Sequence, residues 1–141
     1  NGQAKASALS EVVRNARFAM SRVEIEIREA ADINIGTSVF GSHPGTLSVA
    51  TTAPGADPTV FAVSAGALTV QQGAGPVLPL TNSRVEVLEF IVENVGTPNK
   101  TKAIRIHLKV RAMNPDALVE QTAETTVEST IRVHAKDGFS N

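Results

Sequence analysis

Apolar residues recur every three to four positions across residues 4–33, which is the spacing of one face of an α-helix. At about 100° per residue they form one apolar stripe roughly 100° wide. A helix of about 30 residues is some 45 Å long, well beyond the usual length of about 11–12 residues. The stripe consists of Leu9, Val12, Val13, Ala16, Met20, Val23, Ile27, Ala30 and Ala31.

The two ends of this predicted helix are marked unequally. Asn34 and Gly36 follow the last apolar position and suit a left-handed cap. At the start, Ser7 is a candidate N-cap, but no Glu or Gln follows three residues later to complete a capping box. Asn1 and Gly2 resemble a cloning remnant. A frayed natural start and a truncated longer helix both fit, and the pattern favours truncation.

After the helix, short apolar runs alternate with turns rich in Gly and Pro, a pattern typical of β-strands. A tight hairpin is predicted at Ala65 and Gly66. The run 84–94 is apolar on both faces, which predicts a central strand. The predicted strands are 46–52, 59–64, 67–71, 84–94, 102–113 and 122–135.

The last two predicted strands alternate strictly between apolar and polar residues, so each has one buried face and one solvent-exposed face. The solvent-exposed face is basic on the first strand and mostly acidic on the second. An antiparallel register that pairs unlike charges places Arg111 opposite Glu124 and His107 opposite Glu128. The competing register, shifted by two residues, sets Arg105 against Arg132 and is disfavoured.

These elements together predict an α+β fold: a long N-terminal helix packed on an antiparallel β-sheet. The chain of 141 residues is expected to form a single domain, with the helix in 1–33 and the strands in 46–135. In this arrangement the apolar stripe of the helix covers the apolar face of the sheet.

Composition limits the classes of function. The net charge is −1 and only 4% of residues are aromatic. The sequence has no basic stripe and few residues that could stack on bases, so nucleic acid is not expected as a partner. Cysteine is absent, which excludes disulfide scaffolds and thiolate metal sites. No apolar run reaches the 18 or more residues of a membrane span.

Candidate catalytic and metal-binding residues are scattered. His43, His107 and His134 lie in different elements, and neither the Asn114-Pro115-Asp116 turn nor Asp137-Gly138 supplies enough oxygens for calcium. No G-x-S-x-G motif occurs. The loop Gly73-Ala74-Gly75-Pro76 lacks the Lys-Ser/Thr of a phosphate-binding loop. We therefore predict no enzyme activity, cofactor or metal.

Two apolar residues lie on the helix side opposite the stripe. Phe18 and Ile25 are one heptad apart, a spacing that forms a seam with another helix. Single exposed apolar residues are also ordinary on protein surfaces. The sequence favours the seam, and we predict a partner-interaction site formed by Phe18, Ile25, Arg14 and Arg22.

The order of elements resembles a known family. The predicted helix ends with Met20-Ser21-Arg22-Val23-Glu24 and Glu26-Ile27-Arg28-Glu29-Ala30-Ala31. A short strand and a hairpin follow, and Pro79-Leu80 precedes a long strand. The last strand contains Glu128-Ser129-Thr130-Ile131-Arg132-Val133. The chain resembles the periplasmic part of a type IV pilin-like protein, nearest to the J-like minor pseudopilins of type II secretion systems. The prepilin cleavage site that marks the family is absent, as a truncated helix implies.

The resemblance implies a non-enzymatic subunit of a type II secretion pseudopilus or type IV pilus, at the filament tip, where it starts assembly. Its partners would be other pilin-like or pseudopilin subunits, packed helix against helix. It would lie on the periplasmic face of the inner membrane, anchored by an N-terminal segment absent here, or be extracellular in a pilus. The isolated domain would be monomeric or weakly associated. The alternative is a periplasmic or cell-surface binding module outside any filament.

Overall fold

The computed structural model describes residues 2–96, 103–113 and 123–133, with side chains from Ser7 onward. One α-helix is followed by eight strands within these residues. The helix α1 spans Gly2–Arg28, and a short 3-10 turn spans Ile35–Thr37. The strands are β1 Asp32–Ile33, β2 Thr46–Ala50, β3 Thr59–Ser64, β4 Ala67–Gln72, β5 Val77–Pro79, β6 Val85–Asn94, β7 Ala103–Ala112 and β8 Glu124–Arg132.

The predicted α+β fold class, a long helix packed on one antiparallel sheet, is wrong. In the described part of the chain, strand residues outnumber helical ones, with eight strands and one α-helix. The strands form two antiparallel sheets: β1 to β5 in sequence order, and β6-β7-β8. The division falls after Pro79, which has no N–H for a further ladder bond. The chain then crosses through Leu80, whose N–H binds the Leu68 carbonyl at 2.7 Å, to begin β6 in the second sheet.

The predicted helix is correct in its buried face but too long. Six residues of the stripe are buried, whereas Leu9 is 43% exposed and Ala31 is exposed. The helix ends at Arg28, not Ile33, and Gly36 lies in the 3-10 turn. The chain beyond Arg28 pairs with β2 instead, since the Ala31 N–H binds the Ala50 carbonyl at 2.8 Å. The buried members are Val12, Ala16, Met20, Val23, Ile27 and Ala30.

Both sheets contribute to one apolar core. The buried face of α1 contacts β7 and β8 most extensively. Leu47, Phe61 and Leu68 of the first sheet belong to the same buried cluster as Phe90 and Leu108 of the second. Because these residues are apolar and fully buried, the hydrophobic effect joins the two sheets and the helix into one unit.

Strand β6 is not central, contrary to the prediction from its apolar faces; β7 is the middle strand of its sheet. The outer edge of β6 is instead covered by loops. The Gly45 N–H binds the Phe90 carbonyl at 2.8 Å, and the Val87 N–H binds the Gly66 carbonyl at 2.8 Å. The Nδ1 atom of His43 accepts the Phe90 N–H at 2.9 Å. Backbone groups of an edge strand therefore find partners without a further strand.

The predicted register of the last two strands is confirmed. Arg111 lies opposite Glu124 and His107 lies opposite Glu128 in the β7–β8 ladder. The Nζ atom of Lys109 is 3.7 Å from a Glu124 carboxylate oxygen, on the diagonal. Alternating burial along β7 and unlike charges across the ladder select the same register.

The predicted hairpin at Ala65 and Gly66 is also confirmed, between β3 and β4. Both residues have positive φ, 52° and 81°, as the central pair of a type I′ turn requires. Three features named in the sequence analysis lie outside the described residues: the turn at Asn114-Pro115-Asp116, the Asp137-Gly138 pair and His134.

Candidate functional site: the exposed face of the helix

Phe18 and Ile25 lie on the outer side of α1, where their side chains are 61% and 45% exposed. The residues on the inner side of the same turns, Ala16 and Val23, are fully buried. Because the buried side fixes how the helix is rotated about its axis, Phe18 and Ile25 stay on the solvent side, and helical geometry fixes their spacing. Phe18 and Ile25 are thus displayed about 10.5 Å apart along the axis. We call this outer strip, with Arg14, Arg22 and Glu29, the seam.

The two predicted basic residues of the seam are both paired within the helix. The Arg14 guanidinium donates to the Glu11 carboxylate at 3.3 Å, and the Arg14 side chain is 70% exposed. The Arg22 Nε atom donates to the Glu26 carboxylate at 3.0 Å and is less exposed, at 33%. Exposed pairs of this kind contribute little to stability, so Arg14 remains available to a partner.

A shallow hollow lies beside Phe18, between α1 and the connection from β5 to β6. It encloses about 520 Å³. Phe18, Pro79 and Leu80 are its apolar lining residues, and the other lining residues are polar or charged. The lining consists of Glu11, Arg14, Asn15, Phe18, Pro79, Leu80, Thr81 and Asn82. The aromatic ring of Phe18 therefore faces solvent at the edge of a shallow, open depression.

A polar cluster centred on Glu11 fixes the helix beside this hollow. The Glu11 carboxylate accepts from the Asn82 amide at 2.9 Å and the Asn15 amide at 3.0 Å, and lies 3.5 Å from the Arg84 guanidinium. The Oδ1 atom of Asn15 accepts the Asn82 N–H at 2.9 Å. The hydrogen bond from Asn82 is the main cause that lowers the pKa of Glu11. The sequence analysis missed this cluster, because its members are far apart in sequence; only the polar Asn15 beside an apolar stripe signals it.

Leu9 reveals a second apolar surface that the sequence analysis placed in the core. Leu9 and Ile27 are 18 residues apart, or five turns, so they point in the same direction from the helix axis. Ile27 is fully buried, whereas Leu9 is 43% exposed. Val12, one turn after Leu9, is again fully buried. The apolar stripe is thus incompletely covered at Leu9, although Ala8 beside it packs against the core.

The described histidines have structural partners. The His43 ring accepts the Phe90 N–H, as noted above. Both ring nitrogens of His107 lie 2.7 Å from carboxylates, those of Glu89 and Glu128. The hydrogen bond to Glu128 raises the pKa of His107, Glu89 raises it further, and partial burial opposes both. Because the two carboxylates lie at opposite ends of the ring, they do not converge on a point where an ion could bind.

Within the described residues, no three His, Cys, Asp or Glu side chains are grouped so as to hold a metal ion. In the same part of the chain, no helix combines the length and hydropathy needed to cross a membrane. The chemistry available on the seam is contact: an aromatic and an aliphatic side chain flanked by charged groups of both signs.

Comparison of this chain with protein-family models, with curated proteins and with solved structures finds no match in any of the three.

Proposed function

We propose that this protein is a non-enzymatic structural subunit of a helix-packed filament, a type II secretion pseudopilus or a type IV pilus. In this proposal it is a minor subunit that helps to start assembly on the periplasmic face of the inner membrane. Its partners are other pilin-like subunits. The proposal rests on the sequence resemblance and on the exposed face of the helix.

The observation that carries the proposal is the exposure of Phe18 and Ile25 on a helix whose other side is buried. An exposed Phe on a folded helix leaves a large apolar area in water, and burying such a side chain stabilises a complex by about 1.5–3 kcal/mol. Aromatic residues, Phe included, are enriched at protein–protein interfaces. The seam therefore suits a neighbouring helix.

Leu9 adds support from the opposite side of the helix. Its exposure means that the N-terminal part of α1 presents apolar surface in the direction of the core stripe while Phe18 points the other way. This arrangement agrees with a subunit that contacts more than one helix.

The intact gene provides the first test. We expect the codons upstream of this segment to encode a hydrophobic stretch preceded by a prepilin cleavage site, and we expect the product to be shortened in cells that contain the prepilin peptidase. An upstream region without that site would favour the binding module over the filament subunit.

The second test changes the seam in that intact gene. Phe18→Ser with Ile25→Ser is expected to impair secretion or pilus formation while the melting temperature stays nearly unchanged. The matched control is Ile35→Ser with Val39→Ser, which removes two aliphatic side chains that are 47% and 45% exposed elsewhere on the surface. Equal effects of the two double variants, or none from either, would contradict the proposal.

A further inference from the structure

The seam carries opposite charges at its two ends. Arg14 precedes Phe18 by four residues, and Glu29 follows Ile25 by four residues. The four side chains lie within about 60° around the helix axis, at 100° per residue. The Glu29 N–H binds the Ile25 carbonyl at 3.0 Å, so the helical geometry extends to this residue. Along these four residues the order is basic, apolar, apolar, acidic, and Arg22 of the seam lies beside the middle.

This order is self-complementary only when a second helix runs the opposite way. We propose that the seam binds a second copy of this chain in an antiparallel, two-fold symmetric dimer, with the axis between Ser21 and Arg22. The proposal rests on the helix face that the proposed function uses, and names a partner for it. In this dimer Phe18 meets Ile25 of the second copy, and Arg14 meets its Glu29. Each contact occurs twice, as in all isologous interfaces.

The charges discriminate between helix orientations. A parallel pair in register would set Arg14 against Arg14 and Glu29 against Glu29, and like charges repel. The antiparallel pair sets unlike charges together at both ends, about 22 Å apart along the axis. Charge complementarity of this kind fixes orientation and register more than it adds affinity.

The groups at both ends are available. The Glu29 side chain is exposed and has no ion-pair or hydrogen-bond partner among the described residues. Arg14 is 70% exposed, and its pair with Glu11 is a surface pair. Transfer of Arg14 between Glu11 and the Glu29 of a second copy therefore costs little.

The middle of the seam permits close approach. Ser21 is small and exposed on one side of the proposed axis. Arg22 lies on the other side, where the two copies bring two guanidinium groups together. Each guanidinium is already bound to its own Glu26 at 3.0 Å, which offsets the repulsion.

The dimer is expected to be weak. It uses one face of a single helix over about four turns, and so buries less than the area of about 1,200 Å² below which complexes are transient. Such a dimer covers Phe18 and Ile25 while the chain is alone, and a higher-affinity helix of another subunit displaces it. The self-association thus protects an apolar surface before assembly.

Sedimentation equilibrium of the 141-residue chain at low salt tests the proposal, because it measures the dimer dissociation constant of variants in which the charges at positions 14 and 29 are reversed. Arg14→Glu and Glu29→Arg are each expected to weaken the dimer by roughly threefold to tenfold, since surface pairs are worth up to about 1 kcal/mol each. The variant with both changes is expected to recover the wild-type dissociation constant. A mixture of the two single variants should form heterodimers in preference to either homodimer. A strictly monomeric wild-type chain, or a double variant no better than the singles, would overturn the proposal.

Engineered cysteines give an independent measurement, because the chain contains no cysteine. We expect a mixture of F18C and I25C chains to form mainly mixed disulfides, whereas each variant alone forms few. Thr126→Cys, on the exposed face of β8, controls for random collision. Predominant homodisulfides would contradict the antiparallel arrangement. These outcomes concern self-association alone, so their failure leaves the filament tests above unaffected.

Discussion

His107 lies directly opposite Glu128 across β7 and β8, with its Nδ1 atom 2.7 Å from the Glu128 carboxylate. Its Nε2 atom is the same distance from Glu89 of β6. One imidazole therefore joins all three strands of the second sheet on their solvent side. Both ring nitrogens face carboxylates, so the doubly protonated imidazolium is the form that this site stabilises.

Stability is expected to depend on pH through His107. Because its pKa is raised in the folded chain, His107 binds its proton more tightly in the folded state than in the unfolded state. The contribution is fully present below the unfolded pKa of about 6.5 and is lost as the pH rises through the folded pKa. Urea unfolding at pH 5.5 and 8.5 is the measurement. The free energy of unfolding of the wild type should exceed that of His107→Gln by a larger margin at pH 5.5 than at pH 8.5.

A direct titration of the His107 ring by NMR accompanies that measurement. Glu128→Gln removes the largest cause of the raised pKa and should move the titration midpoint down, while Thr130→Ser on the same strand should leave it unchanged. A His107 midpoint at or below 6.5 in the wild type would refute this account.

The register around His107 was predictable because two independent signals agree. Alternation along β7 decides which side chains face solvent, and the signs of the charges then choose between registers two residues apart. The end of α1 was not predictable in this way. Local sequence favours helix as far as Ile33, but the pairing of β1 with β2 satisfies the same backbone groups and prevails. The separation into two sheets likewise depends on crossings that no local pattern encodes.

Ile27 and Ile25 offer a matched comparison of the two sides of α1. Ile27 is fully buried and Ile25 is 45% exposed. Ile27→Ala should lower the free energy of unfolding by about 2–5 kcal/mol, as truncation in a core does. Ile25→Ala should change it by no more than about 0.5 kcal/mol. Denaturant unfolding of both variants is the measurement, and similar losses would mean that Ile25 packs in the core.

Asn15 is expected to matter for stability although it is polar. Its side chain accepts the Asn82 N–H and donates to Glu11, which joins α1 to the connection before β6. Asn15→Ala leaves the Asn82 N–H without its acceptor and should cost about 1–3 kcal/mol. Ser10→Ala, at an exposed helix position, is the control. Hydrogen exchange at the Asn82 amide should accelerate in the first variant only; unchanged protection would argue against the link.

Ala65 adopts φ of 52°, a left-handed conformation that costs a non-glycine residue about 1–2 kcal/mol. Ala65→Gly should therefore raise the melting temperature, or at least not lower it, despite the greater flexibility of glycine in the unfolded chain. Gly66→Ala, at φ of 81°, should lower it. Thermal unfolding of the pair checks this, and the reverse order would exclude a type I′ turn.

The candidate site was only partly predictable. Helical spacing alone places Phe18 and Ile25 away from the apolar stripe, and both are exposed in the structure. The same spacing wrongly placed Leu9 in the core, because periodicity gives a direction around the helix but not how completely the rest of the chain covers each position. The hollow beside Phe18 depends on Pro79, some 60 residues later in the sequence, and required the tertiary structure.

The central claim, that the seam contacts other pilin-like subunits, is tested most directly by site-specific crosslinking in cells that express the intact gene. A photoreactive amino acid is placed at Phe18 or Ile25, and at Thr126 as an exposed control on the far side of the second sheet. We expect crosslinks from Phe18 and Ile25 to proteins that carry a prepilin cleavage site, and few from Thr126. Equal labelling from all three positions, or none from the seam, would contradict it.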